Sequence, residues 1–362
     1  MTEKLLSIWA KTSKRLTCIT LVAFTIFVAL NVLVEFFHDQ VHAGTRDVAM
    51  VEENHVKDLV SICEKQQHYP DLMLLGSSVI GLPFNDLTNS RDFRPFYFVN
   101  QFNPLLGTSN FVTLNMGTDG AMISDSSLLV RKCLTDQKKP RFIVLGVAPR
   151  DFGDGTRPYD SYHFKTLAKL KDFINLHAMY LPDIEGKLYF IYEKSAPIFQ
   201  HRGYAQNYFA QLSNMFWHGG ESTAPVDELE QIKTRQSSAD SWINVINRYR
   251  EIYAKLRPAL IKKQMDFLAL FIQERQTAQT KLLVINMPLA EDNRQLLPPG
   301  FYEKFRKELA DVVTRNGAEF LDLGSAPEFE RKDFFDCAHL NAQGCRKLML
   351  HIVEFMKGKK NR

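Results

Sequence analysis

Five short apolar runs recur along the chain: LMLL at 72–75, FVTLN at 111–115, FIVLG at 142–146, KLLVIN at 281–286 and EFLDL at 319–323. They lack the strict polar alternation of a strand with one wet face. Strands that read almost continuously apolar are buried on both sides, as when helices cover both faces of a parallel sheet. Stretches with helical spacing lie around them, at Val56–Gln66, Ser124–Cys133, Trp242–Leu256, Ile261–Gln276, Tyr302–Asn316 and Ala342–Met356. Strand and helix in alternation predict a three-layer α/β/α domain on a parallel sheet, spanning about 70–362.

The rhythm breaks between about 151 and 240. That stretch is crowded with aromatics, from Phe152 to Trp217, and shows no strand–helix alternation. It reads as an insertion, either packed over the strand ends or filling a local core of its own. Its end, Gly219–Asp240, has the Ser, Thr, Pro, Glu and Gln content of an exposed loop.

Ahead of the domain, residues 16–37 read LTCITLVAFTIFVALNVLVEFF, with a single acid, Glu35, near the end. A bilayer core of roughly 30 Å takes about 20 apolar residues in helix, so this segment is long enough to span it. It is longer than a typical signal-peptide core, and no clear small-x-small cleavage site follows. Lys4, Lys11, Lys14 and Arg15 precede it and are opposed only by Glu3, whereas Glu35 and Asp39 lie at its far end. The positive-inside rule then predicts a single-pass protein: a cytoplasmic tail at 1–15, a membrane helix at 16–37, a linker and helix at 38–69, and an extracytoplasmic domain. Charge supports this division. Of the net charge of +4, the first 15 residues carry +3, leaving +1 for the remainder. There is no basic face of the kind that nucleic acid requires, and no zinc-finger or RNP pattern, so nucleic acid is not an expected partner.

The five cysteines, Cys18, Cys63, Cys133, Cys337 and Cys345, show neither CxxC pairs nor zinc spacing. Free core thiols and oxidised pairs both remain open. HExxH, P-loop and GxGxxG motifs are absent from the sequence, which argues against zinc protease, NTPase and dinucleotide chemistry.

Two motifs carry chemistry. In LMLLGSSVI (72–80), a strand ends at Gly76 and two serines follow. A hydroxyl just past the carboxyl end of a strand sits where open α/β sheets bind ligands, and a helix beginning there favours developing negative charge. Taken alone, Gly-Ser-Ser after a strand is also a common turn. In DFFDCAHLNAQG (333–344), Asp336 and His339 stand three residues apart before the last helix, with Asn341 placed to cap it. A carboxylate at that spacing can hold a histidine tautomer and stabilise its imidazolium, which is what a serine nucleophile requires of its base. Alone, the pair also reads as a surface Asp and a solvated His.

Taken together, a serine after the first strand and Asp-x-x-His before the last helix resemble the SGNH (GDSL-like) hydrolase superfamily. Gly76-Ser77-Ser78 is similar to its first block, with Ser78 at the nucleophile position. NMGTDGAM (115–122) is similar to the second block, in which a glycine N–H donates to the oxyanion hole; that glycine corresponds to Gly120. The third block departs: the family's Gly-x-Asn-Asp is replaced by GVAPRDF (146–152), without the Asn. This departure, the Gly-Ser-Ser form and the single N-terminal anchor are similar to membrane-anchored members that acylate cell envelopes, such as the teichoic-acid D-alanyl transfer protein and the alginate O-acetylation proteins.

The resemblance implies an enzyme with a catalytic triad of Ser78, Asp336 and His339. The oxyanion hole would be formed by the N–H groups of Gly120 and Ser78, with no metal or cofactor. It implies an O-acyltransferase that works through an acyl-serine on a glycan or polyol acceptor. The alternatives are a membrane-tethered esterase or lipase, and a non-catalytic SGNH-like partner of a membrane acyltransferase. The expected partners are the bilayer, an acyl donor, the acceptor and a multi-pass membrane O-acyltransferase. Two further residues follow strands at the same edge and are candidates for substrate binding. Arg150 reads either as an anion-binding or oxyanion group, important for activity but not for folding, or as the partner of Asp151. Asn286 reads either as a substrate contact or as a strand-ending residue before Met287-Pro288.

Overall fold

The computed structural model of the chain describes residues 69–87, 100–134, 139–156, 239–277 and 280–358 as unbroken stretches. It also describes residues 22, 24–29, 56, 59–61, 167–168, 180, 184, 187–188 and 190–191. Most of the span at 16–37, of the linker and of the insertion therefore lies outside the described residues. Among the described residues no helix is long and apolar enough to cross a membrane. Of the expected span, residue 22 and residues 24–29 are described, and they are helical. By backbone contacts the chain divides into two units, Met1–Val48 with Ala168–Asp227, and Ala49–Leu167 with Glu228–Arg362. The sheet and all the candidate site residues belong to the second.

In that unit the elements run β1 (Leu72–Gly76), α1 (Ser78–Leu87), α2 (Phe102–Leu106), β2 (Thr113–Asn115), α3 (Ile123–Cys133), β3 (Phe142–Val147) and α4 (Arg150–Gly153). They continue with α5 (Ala239–Ala254), α6 (Pro258–Thr277), β4 (Lys281–Asn286), α7 (Glu291–Arg294), α8 (Phe301–Arg315), β5 (Glu319–Asp322), a 3-10 turn (Arg331–Asp333) and α9 (Ala342–Met356). All five apolar runs are strands. They form one parallel sheet in the order β2-β1-β3-β4-β5. The three strands on the β2 side are wholly buried, whereas β5, at the far edge, is only half-buried and carries the acids Glu319 and Asp322.

The pleat sends alternate residues to opposite faces. Leu72, Leu74, Val144, Leu283 and Ile285 join one core cluster with Ile80 and Phe84 of α1 and with Leu348, Ile352 and Phe355 of α9. Their neighbours Met73, Leu75, Ile143, Leu145 and Val284 are equally buried and face the other way. There α6 packs against α3, α4 and α8. Helices thus cover both faces, as continuous apolar strands require.

The longest of the helices not marked by sequence periodicity is α1. Helix α1, SVIGLPFNDL, contains both Gly81 and Pro83, residues that disfavour a helix interior. Packing overrides that preference: Val79, Ile80 and Phe84 are fully buried, and burying such side chains is worth roughly 1.5–3 kcal/mol each.

The strand order places a switch point between β1 and β3. The chain leaves β1 toward one edge of the sheet and leaves β3 toward the other, opening a crevice beyond their carboxyl ends. Ser78 begins just past β1, and Arg150 just past β3.

Candidate active site

The Ser78 segment is set by close backbone approach. Gly76 has φ 133° and pairs with Gly146 across the sheet. A Cβ at Gly76 would collide with the Gly146 carbonyl oxygen. The turn that follows is capped by the Ser77 carbonyl, which accepts from the N–H groups of Ile80 and Gly81 (both 3.2 Å). Ser78 therefore stands in the first turn of α1, 5% exposed, with its hydroxyl at the switch point.

The loop after β2 is locked beside it. The N–H of Thr118 donates to the Gly76 carbonyl (3.0 Å), and Asn115 Nδ2 donates to the Gly81 carbonyl (3.1 Å). Gly117 touches Gly81 so closely that a side chain on Gly117 would overlap the Gly81 backbone. Gly120, buried at φ 70°, is three residues further along this loop.

Asp336 and His339 come from a tight loop before α9. An isolated bridge joins Phe334 to Leu340, the N–H of Phe335 donates to the His339 carbonyl (2.8 Å), and the N–H of Asn341 donates to the Asp333 carbonyl (2.9 Å). Asn341 caps α9, its Oδ1 accepting from the N–H groups of Gln343 (2.9 Å) and Gly344 (3.1 Å). Below, buried Asp333 pairs with Lys347 of α9 at 2.6 Å. The loop is thus tied at its base and at its helix.

The structure brings Ser78, His339 and Asp336 into one hydrogen-bonded chain. His339 Nε2 lies 2.9 Å from Ser78 Oγ. Its Nδ1 lies 2.9 Å and 2.8 Å from the two carboxylate oxygens of Asp336. Asp336 Oδ1 also accepts from the backbone N–H groups of Ala338 (2.8 Å) and His339 (2.9 Å), which fixes the carboxylate. An ionised Asp336 accepts from Nδ1–H and leaves the Nε2 lone pair for the Ser78 hydroxyl.

The electrostatics follow from this packing. For Asp336, burial favours the neutral acid, but His339 and the two backbone donors outweigh it and hold its pKa below the ordinary carboxylate value. For His339, burial opposes the charged form and Arg150 does so weakly. The Asp336 carboxylate prevails, aided by Asp119, and the pKa is raised above the ordinary histidine value. Burial pushes the neighbouring Cys337 thiol up to about 12, so it is not a competing thiolate nucleophile near neutral pH.

The remaining candidates are placed differently. Arg150 is buried, its guanidinium 3.8 Å from Asp151 and 3.5 Å from Asp154. Of the two sequence readings, the pairing with Asp151 is the one present, extended by Asp154. Buried between two acids, Arg150 is placed to contribute to folding, against the expectation that only activity depends on it. Asn286 is fully buried, and its Nδ2 donates to Asp322 Oδ1 (2.8 Å) and to Tyr302 Oη (3.2 Å). That amide joins β4 to β5 and α8.

Two neighbours of the site went unnoticed in the sequence. Asp119 is exposed in the loop after β2, and its charge is felt by both His339 and Arg150. Its place inside NMGTDGAM was the available signal. Tyr249 of α5 is buried against Arg150, with no signal in the sequence beyond an aromatic on a helix. Ser77, the other serine, faces Asp151, although neither Ser77 Oγ nor Asp151 Oδ1 reaches a hydrogen-bond partner. Burial pushes Asp151 up to about 6 despite Arg150 beside it. Cys133, Cys337 and Cys345 are buried and form no disulfide among the described residues, while Cys18 and Cys63 lie outside them.

The sequence matches no protein-family model and no curated protein. A structure provisionally described as a platelet activating factor from Streptococcus pneumonia is similar over 84% of this chain and 92% of its own. The TM-score is 0.40 and the identity 11%. At that overlap the likeness carries no argument, and the α/β assignment rests on the parallel sheet itself.

Proposed function

We propose that this chain is a serine acyl-ester enzyme, an O-acyltransferase acting on a cell-envelope glycan or polyol, anchored by residues 16–37 with its larger unit outside the cytoplasm. One observation carries the reading: the chain Ser78 Oγ, His339 Nε2, His339 Nδ1, Asp336, with contacts of 2.8–2.9 Å, at the switch point of a parallel sheet.

The reaction runs in two halves. The Ser78 hydroxyl gives its proton to His339 Nε2 as Oγ bonds to the acyl carbon of an ester or thioester. Asp336 stabilises the imidazolium and keeps the ring oriented. The N–H groups of Ser78 and Gly120 are assigned to the tetrahedral oxyanion, where a single donor is often worth ~100–1,000-fold in rate. The intermediate collapses, His339 protonates the leaving oxygen or sulfur, and Ser78 holds the acyl group. An acceptor hydroxyl then loses its proton to His339, bonds to the acyl carbon, and Ser78 leaves with the proton restored. Water in place of the acceptor gives an esterase from the same residues.

A non-catalytic reading has one observation in its favour. The third block lacks its Asn, and Arg150, which occupies that neighbourhood, is engaged by Asp151 and Asp154. Hydrolysis of a small chromogenic acetate ester by the wild type and by Ser78→Ala decides between the two. The enzyme reading expects a loss of at least about a thousand-fold on removing the nucleophile. Equal rates in the two proteins support the non-catalytic reading. Adding a soluble glycan acceptor then separates transfer from hydrolysis by the appearance of acylated sugar.

A further inference from the structure

Beyond the carboxyl ends of β4 and β5 the larger unit holds a cavity of about 370 Å³. That is the small end of the range for small-molecule sites, roughly 300–1,000 Å³. Pro288, Leu289 and Ala290 after β4, Leu323 and Ala326 after β5, and Phe334 supply its apolar floor. Its lining contains no triad residue, but the cavity and the triad share a loop. Phe334 bridges to Leu340, closing the loop that carries Asp336 and His339. The N–H of Ala290 donates to the Cys337 carbonyl in that loop (3.2 Å).

The polar side of the cavity is built from charges that are already paired. Arg294 bonds Glu291, Arg331 lies 3.2 Å from Asp292, and Glu330 lies 2.8 Å from Lys332 at the rim. A charged ligand finds no unmatched counter-ion there, and an anion must compete with a carboxylate for its arginine. A hydroxyl needs no such exchange. It donates to carboxylate lone pairs and accepts from guanidinium N–H groups, and one ion pair exhausts neither group's capacity. Arg294 is the clearest case: Nη1 donates to the Gly324 carbonyl (3.4 Å), but Nε is buried and reaches no acceptor among the described residues. A buried donor without a partner is uncommon, and an acceptor on a ligand satisfies it. The frame around it is preorganised. Trp242 Nε1 and Arg331 Nη1 donate to the same Asp292 oxygen (3.1 and 3.2 Å). The Arg331 guanidinium also lies over the indole, 4.4 Å from the ring centroid. Each of the three fixes the other two, so little order remains to be lost on binding.

We infer that this cavity is a subsite for an uncharged saccharide unit of the acyl acceptor. Paired polar groups above an apolar floor suit a ring with hydroxyls at its rim and C–H groups on its faces. The sheet sets how far this unit lies from the chemistry. In the order β2-β1-β3-β4-β5, β4 and β5 are two and three strands from β1. Strands lie ~4.8 Å apart, so the cavity is roughly 10–14 Å along the edge from the strand that leads to Ser78. The unit held there is therefore not the one acylated but one farther along the same molecule, and the acceptor is a chain. The role as acceptor subsite rests on the acyl-transfer reading, whereas the preference for an uncharged sugar rests on the cavity.

The test reads binding rather than turnover. The full chain, in a detergent without a sugar head group, is irradiated with diazirine derivatives of maltotetraose, cellotetraose and N-acetylchitotetraose. Adducts are mapped by mass spectrometry. Saturable adducts on 288–294, on 323–334 or at Trp242 are expected with at least one of the three. Excess unlabelled sugar should remove them, and inorganic phosphate should not. Asp292→Asn and Arg294→Gln should each raise the half-saturating concentration at least tenfold. If one variant fails to fold, the other and the wild-type competition still decide. No saturable adduct with any of the three, adducts confined to other segments, or displacement by phosphate overturns the inference. Undiminished labelling in both variants does so too. Absent labelling in a chain whose ester hydrolysis needs Ser78 overturns the subsite alone. Labelling as expected in a chain indifferent to Ser78→Ala overturns the acceptor role through failure of the acyl-transfer reading.

Discussion

His339 is the residue on which the proposed chemistry turns, because it must be neutral to accept the Ser78 proton. Its pKa is raised above the ordinary value of 6.5 by Asp336 against the opposing effect of burial. Turnover should therefore rise with pH, with a midpoint above 6.5. A kcat/KM profile measures this, and a midpoint at or below 6.5 contradicts it. Asp336→Asn removes the charge that raises the pKa and the acceptor that holds the tautomer. The midpoint should move down while the maximal rate falls by about 10⁴. The same shift has a stability side: the protonated imidazole is favoured in the fold, so its contribution is complete below 6.5 and is lost as pH rises through the folded value. Arg150 gives a second residue-scale prediction. Replacing it with alanine strands Asp151 and Asp154 without their buried counter-charge, which typically costs about 3–5 kcal/mol. A urea midpoint for Arg150→Ala within error of wild type would show that the ion pairs are not important to the fold. Ser78, Asp336 and His339 were legible in the sequence because each motif is local: a serine one strand-end away, and an acid three residues from its histidine. For Arg150 the pairing with Asp151 was one of two sequence readings, whereas its neighbour Tyr249, arriving from a helix about a hundred positions later, left no signal.

At the scale of elements, the strands were legible because burial on both faces leaves an unbroken apolar run. The limits shift by only a residue or two: β2 begins at Thr113 rather than at Phe111, and β5 ends at Asp322. Helix α1 carries no periodic signal because Gly81 and Pro83 interrupt it, and contact with the sheet makes the helix favourable. Asn341 shows how an element positions a residue. It caps α9 with its Oδ1, while its Nδ2 donates to the Lys332 carbonyl (2.7 Å), so it holds the helix and the His339 loop together. Asn341→Ala should cost about 1 kcal/mol in denaturation, the usual value of a cap. If the loop is held this way, kcat should also fall while KM for a small ester stays constant. Unchanged kcat with reduced stability would confine Asn341 to a capping role.

For the whole molecule, the division into two units sets the proposed triad apart from residues 16–37, the proposed anchor. The sheet and the Ser78–His339–Asp336 chain lie in Ala49–Leu167 with Glu228–Arg362, whereas residues 1–48 belong with 168–227. A chain lacking residues 1–40 should keep its small-ester hydrolysis within about twofold of the full chain, since all the candidate site residues belong to the other unit; a twofold change in rate is only ~0.4 kcal/mol in barrier. A collapse of turnover with the sheet still folded by circular dichroism would show that the smaller unit helps build the site. The central claim is that Ser78 is a nucleophile activated by His339, and a fluorophosphonate probe tests it most directly, because it bonds covalently to an activated serine. Tryptic mass spectrometry of the labelled full chain should find one adduct, on Ser78 and not on Ser77, abolished by Ser78→Ala and by His339→Ala. No adduct on the folded wild type, or one on Ser77 that persists in His339→Ala, would contradict it.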